Sequence, residues 1–189
     1  MRAIDVFALG ALALAPMAHA DWVVAPASSI QFVSIKNSTV GELNRFESVS
    51  GTVTDAGEIV VEVALDSVQT GIDIRNERLK NLLFEIGAFP RATISGQLDG
   101  VTLTALIEQG SAEVTLPLTV DLHGQSVVKQ ATLRAHREGD SLRVATVAPI
   151  LLNASEFGLE PGVTALQEIA GLKAISRVIP VTVDLTLTR

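Results

Sequence analysis

Cysteine is absent from all 189 residues, which removes disulfides, thiolate metal sites, cysteine nucleophiles and a lipidated N-terminal cysteine at once. What remains for chemistry is thin. Downstream of residue 20 the histidines are His123 and His136, and Asp121 and His123 stand at i, i+2 on one face of a strand pattern. A zinc site needs three or four such ligands, and no third accompanies them. Each histidine ends a polar face beside a turn, so both are expected to be exposed polar residues. Ser67 and Thr70 have no histidine base nearby and are not activated nucleophiles. Ser155-Glu156 lacks a triad context. Gly51 and Gly57 read as turn glycines, not as a phosphate cradle. No catalytic residue, metal or cofactor is assigned, and no enzyme is expected.

Charge and composition narrow the class further. Fourteen Lys and Arg against twenty-one Asp and Glu give a net charge of −7, so no nucleic-acid partner is expected, because phosphate neutralisation needs basic side chains. Hydrophobic residues at 48% and charged residues at 19% describe a globular chain. Six Phe, one Trp and no Tyr cannot furnish the two aromatic girdles of an outer-membrane barrel. Residues 1–20 read as a signal peptide: Arg2 leads, Val6 to Ala15 form an apolar core, and Ala18-His19-Ala20 supplies a small-x-small cleavage pattern. The run is too short for a transmembrane anchor, and Pro16 breaks it. Cleavage after Ala20 would leave residues 21–189 as one domain with no stable membrane span. An exported, cysteine-free chain points to a periplasmic protein that folds without disulfides.

The elements that must carry any site are mostly strands. Ser29–Lys36 alternates, with Ile30 and Phe32 on one face. A long β-type stretch from Val40 to Thr54 contains Gly51, which suggests a bulge or bend. Asp55-Ala56-Gly57 turns into Glu58–Val68, where Ile59, Val61, Val63 and Leu65 share a face, so the two runs form an antiparallel hairpin. The period then changes. Leu79, Leu82, Leu83 and Ile86 fall at i, i+3, i+4, i+7, an amphipathic helix within Ile74–Ile86, with Asp73 as N-cap and Gly87 as C-terminal cap. This face could lid a barrel mouth or plug it. Strand patterns return at Ala92–Leu98, Val101–Ile107, Ala112–His123, Val127–His136 and Leu142–Leu152. Pro161–Ala170 is a short second helix, and Val178–Thr188 a last strand. The fold class is mainly β: about eight antiparallel strands with one amphipathic helix and a short second one. One apolar face per strand suits a closed barrel, and eight strands can enclose one small ligand or be filled by their own side chains. The pattern alone leaves that choice open.

One segment carries a resemblance. Ser67, Val68, Thr70, Gly71, Arg75, Leu79, Phe84 and Pro90 reproduce a Ser-Val-x-Thr-Gly run, an Arg opening a helix, a Leu, a Phe and an aromatic-Pro before a strand. Asp21-Trp22, the Ile30/Phe32/Lys36 pattern, Leu122-His123-Gly124 and Glu156-Phe157-Gly158-Leu159 agree in order and spacing. Together these motifs resemble the YceI-like family of periplasmic lipid-binding proteins along the whole of residues 21–189. There are departures. Asn76 stands where the family usually has Asp, Arg78 where it often has His, Leu83 in place of the first Phe of a pair, Ile94 where Phe is common, and Val120-Asp121 in place of Leu-Thr. The stretch Ala165–Ile179 is longer and more apolar than usual.

The resemblance implies a lipocalin-like barrel holding an isoprenoid, an isoprenoid quinone, a fatty-acyl chain or a similar long-chain amphiphile, for transport, storage or sequestration. It implies ligand-lining positions at Phe32, Phe46, Leu65, Leu79, Leu83, Phe84, Ile94, Leu118, Val120, Val144 and Phe157. Arg75 is its best candidate for a polar head group, although a solvated first helical turn with local salt bridges is the favoured reading of Arg75–Arg78. An accessory protein delivering quinone to a membrane cytochrome b561-type partner is the alternative; a lipid-modifying enzyme is disfavoured. A homodimer is left open.

Overall fold

Strands with one apolar face must hide it, and a single sheet can do so by curling until its edges meet. A computed structural model describes residues 21–189 and shows this solution. Eight antiparallel strands follow one another around a closed barrel. Strand β1 comprises Trp22–Val24 and Ser29–Lys36, β2 comprises Val40–Phe46 and Val49–Val53, and β3 comprises Glu58–Ala64 and Val68–Gln69. Then come β4 (Arg91–Gln97), β5 (Ser111–Leu122), β6 (Gln125–Glu138), β7 (Ser141–Thr146 and Ile150–Asn153) and β8 (Val178–Thr188). Each strand pairs with its neighbour in sequence, and β8 closes on both pieces of β1, Val181 opposite Phe32 and Leu187 opposite Val24.

The interruptions have local causes. The Val40–Thr54 run breaks at Glu47-Ser48, where Ser48 N–H turns to the Ser67 hydroxyl at 3.0 Å and that hydroxyl donates to the Ala64 carbonyl at 2.6 Å. Ser67 thus belongs to a 3-10 turn, Leu65–Ser67, that ends the first piece of β3 at Ala64. Gly51 lets β2 and β3 approach closely: a Cβ there would lie 2.2 Å from the Val60 carbonyl oxygen. The Leu142–Leu152 run splits before Ile150, next to Pro149, which has no N–H for a ladder.

Two expectations for the helices are corrected. Val101–Ile107 is not a strand but lies in helix α2, Gly100–Gln109. Asp99 caps it, accepting from Thr102 N–H at 2.9 Å, and Gly110 ends it in the left-handed conformation. Val101, Leu103, Ala105 and Ile107 alternate as in a strand, while Leu103, Leu106 and Ile107 fall at i, i+3, i+4 as in a helix, and the cap decides between them. The first helix, α1, is α-helical over Asp73–Arg78 and then widens into a π-turn over Leu79–Leu83. Its N-cap is Ile72 rather than Asp73, and it ends at Phe84, before Gly87. Phe84 N–H bonds to Leu79 O, five residues back. The extra residue rotates the following side chains. Phe84 turns inward and is buried, while Leu82, expected on the apolar face, is 37% exposed. The last helix, α3, spans Glu160–Ile169. No helix among the described residues is long and apolar enough to cross a membrane. The signal-peptide reading of residues 1–20 lies outside the described residues.

The barrel interior divides in two. Towards α2 it is filled by Trp22, Val24, Val61, Leu106, Leu142, Leu185 and Leu187. Leu116, Leu118 and Ala131 form a second buried cluster against Ile59, Ile94 and Ile150. Towards α1 and α3 it is open inside.

Candidate functional site

That open half is a cavity of about 380 Å3, within the roughly 300–1,000 Å3 of small-molecule sites. Its walls come from the inward faces of β1 to β5, β7 and β8, and α1 and α3 cover it. Aromatic side chains stack along one wall: Phe32 and Phe46 have ring centroids 5.4 Å apart, and Phe46 and Phe84 5.7 Å. Phe157 is 1% exposed and lines the cavity from the 3-10 turn after β7.

The two lid helices touch through glycine. Gly162 of α3 packs so closely on the π-turn that a Cβ would sit 2.5 Å from the Leu82 carbonyl oxygen and 2.9 Å from Leu83 Cα. This contact brings Val163 and Leu166 of α3 beside Leu79 and Leu83 of α1 as cavity lining. The long apolar stretch after α3 is put to the same use, with Ala170, Leu172, Ile175 and Ile179 in the wall.

Polarity rises along the β1–β2 hairpin towards the mouth. Ile30 lies opposite Phe46, Phe32 opposite Asn44, and Ser34 opposite Glu42, with Lys36 beyond. Glu42 bridges Lys36 Nζ and Arg75 Nη1, each at 2.5 Å. The Lys36 hydrogen bond, and then the nearby Arg75 and Lys36 charges, hold the Glu42 carboxyl below the usual carboxylate range against the opposing effect of burial. Arg75 Nη2 donates to the Thr70 carbonyl at 2.6 Å. Asn76, 6% exposed, accepts from Thr70 N–H at 2.9 Å and from the Thr70 hydroxyl at 2.6 Å, and donates to Gln69 Oε1 at 3.0 Å. The amide suits this buried position because it adds a donor without adding a charge. Helix α1 is thus pinned to the barrel by a polar network, and Arg75–Arg78 is not a merely solvated turn.

Of the predicted lining positions, Phe32, Phe46, Leu65, Arg75, Leu79, Leu83, Phe84, Ile94, Val120 and Phe157 come together around this cavity. Leu118 and Val144 do not. Leu118 faces inward but is spent in the filled cluster behind Ile94, and Val144 packs against the main core. His123 is corrected as well. Its side chain is 16% exposed and wedged between lid elements, Nε2 lying 3.1 Å from Glu85 Oε2 and Nδ1 3.2 Å from the Phe157 carbonyl, with Phe89 4.4 Å away ring to ring. His136 is exposed, beside Glu138. Among the described residues no group of three His, Asp or Glu could hold a metal ion. Sequence reasoning missed Ser34, Asn44, Glu42 and the α3 positions. The alternation Ile30, Phe32, Ser34, Lys36 and the spacing Val163, Leu166, Ala170 were the available signals.

An eight-stranded up-and-down barrel, filled at one end and holding an apolar, helix-lidded cavity at the other, defines a lipocalin-like architecture. Comparison with known proteins gives the family. The YceI-like domain profile matches residues 22–187, and the chain belongs to the YceI-like family. Among solved structures it is similar to a polyisoprenoid binding domain from Saccharophagus degradans implicated in plant cell wall breakdown, with 34% identity and a TM-score of 0.83 over 88% of this chain and 97% of that one. It also resembles Burkholderia cenocepacia BcnA in fold, with 16% identity and a TM-score of 0.65 over 86% of this chain and 98% of that one. Comparison with the curated proteins gave no match.

Proposed function

We propose that this protein is an exported, non-enzymatic carrier that holds one long apolar chain, an isoprenoid, in the lidded half of the barrel. The observation that carries the proposal is the cavity itself. About 380 Å3 of space is lined mostly by Ile, Leu, Val, Ala and Phe, in a barrel otherwise packed with its own side chains. Such a wall favours any chain that leaves water, at about 25 cal/mol per Å2 of apolar surface and about 0.8 kcal/mol per buried methylene, without directional chemistry. The likeness to a polyisoprenoid binding domain at 34% identity supports an isoprenoid as that chain. The apolar run and the Ala18-His19-Ala20 pattern of residues 1–20 support export to the periplasm.

Protein exported from a bacterial host tests this directly. Intact mass should begin at Asp21, and solvent extraction should release an approximately stoichiometric lipid chain. Delipidated, folded protein should take up geranylgeraniol. Failure to bind isoprenoid and fatty-acyl chains alike would refute the carrier reading.

A further inference from the structure

Two polar atoms at the mouth end of the cavity have no hydrogen-bond partner among the described residues: Asn44 Oδ1 and Arg75 Nε. Both are shut off from solvent, and both residues line the cavity. Asn44 is 3% exposed. Its amide cannot simply be reversed, because Nδ2 donates to the Glu42 carbonyl at 3.1 Å and to Ser34 Oγ at 3.2 Å. Turning it over would set two acceptor-only oxygens against each other. Arg75 Nη1 and Nη2 each have a partner, in Glu42 and the Thr70 carbonyl, so Nε is the guanidinium nitrogen left without one. The network therefore leaves one acceptor and one donor unpaired on two residues that line the same end of the cavity, with the Ser34 hydroxyl bonded to the Asn44 amide nitrogen. Buried polar groups left unpaired are costly, and a ligand that pairs them gains what the empty arrangement forfeits.

Resting on the carrier reading, we propose that this polar end selects chains whose head group is a hydroxyl, as in an alcohol, phenol or hydroquinone, over heads that only accept. Once the Asn44 and Arg75 side chains, which expose almost no surface in the empty cavity, turn slightly towards it, a hydroxyl gives its proton to Asn44 Oδ1 and offers lone pairs to Arg75 Nε–H. A quinone or a carboxylate can answer Arg75 but leaves Asn44 Oδ1 unpaired. The same placement orients the ligand. The head lies by Ser34, Asn44 and Arg75, and the tail runs inward along Phe32, Phe46 and Phe84.

The test compares chains that differ only at the head. Delipidated wild-type protein is titrated with geranylgeraniol and with its methyl ether, and under anaerobic conditions with a prenylated hydroquinone and its benzoquinone. The donor-bearing member of each pair should bind about tenfold more tightly, the discrimination set by one buried acceptor left unpaired. In Asn44→Leu the alcohol-to-ether ratio should fall to within about twofold, the size of a minor packing difference, while ether binding persists. Equal binding of both members of the pairs by wild-type protein would overturn the head-group proposal and leave the carrier reading intact. A preference that survives Asn44→Leu would overturn it too, by placing the discrimination elsewhere. If none of the four chains binds, the carrier reading itself fails. The wild-type hydroquinone and benzoquinone comparison stands by itself if Asn44→Leu does not fold.

Discussion

Gly162→Ala is the sharpest test of how the lid is built. Judged by local propensity alone, replacing a helical glycine by alanine stabilises by about 0.5–1 kcal/mol. The structure argues for the opposite sign. The new Cβ would stand 2.5 Å from the Leu82 carbonyl oxygen, about 0.9 Å short of ordinary contact at 3.4 Å, and 2.9 Å from Leu83 Cα. Neither atom is the end of a flexible side chain, so α3 and the π-turn must separate by nearly that amount. A gap of 0.5–1 Å forfeits about a quarter to a half of each contact along the interface. Val163, Leu166, Leu79 and Leu83 lie there. Overpacking of this kind costs about 1–3 kcal/mol, so the net effect after the propensity gain is a loss of up to about 2.5 kcal/mol, centred near about 1. With a urea slope near 2 kcal/mol/M, the unfolding midpoint should drop by about 0.5 M, and by up to about 1.2 M. Gly87→Ala supplies the control. A Cβ at Gly87 meets nothing within 4 Å, and Gly87 is not among the positive-φ glycines, so it should gain about 0.4–1 kcal/mol. If Gly162→Ala raised the midpoint as Gly87→Ala does, the helices would not be in backbone contact and the lid described here would be wrong.

Leu118→Ala should cost about 2–5 kcal/mol in equilibrium unfolding, because Leu118 is packed in the filled cluster, yet chain uptake by the folded variant should persist. Loss of uptake with unchanged stability would show that Leu118 is cavity wall. The Glu42 carboxyl is lowered from its ordinary 4.5, so its stabilising effect is present above that value and is lost as pH falls through the folded value. Thermal stability should therefore fall below about pH 4.5, and Glu42→Gln should remove part of that acid dependence; an unchanged profile in the variant would show that the Lys36–Glu42–Arg75 bridge contributes nothing.

Local pattern made a good part of this legible. Ser29–Lys36 and Val178–Thr188 follow their alternation end to end, because a half-buried strand writes its two faces into every second residue. The mistaken strand at Val101–Ile107 shows where pattern fails. Val101, Leu103 and Ala105 alternate with Thr102 and Thr104 as they would in a strand, and a single capping carboxylate, Asp99, settles the matter. The lid helix was foreseen, but its π-turn was not. Only packing of Phe84 inward against Phe46 shows that an extra residue has entered the turn.

By itself, the sequence determined which face of most strands is apolar and that a helix interrupts them after Gly71. Those follow from side-chain periodicity, a property of neighbours along the chain. Tertiary structure decided where the barrel is filled and where it is hollow. Leu118 and Val120 share one face of one strand, yet only Val120 lines the cavity, because what lies behind each depends on strands paired across the sheet. It also joined Arg75 to Glu42, 33 residues apart, and left Asn44 Oδ1 without a donor. Such pairings depend on distances set by barrel closure, and no spacing along the chain encodes them.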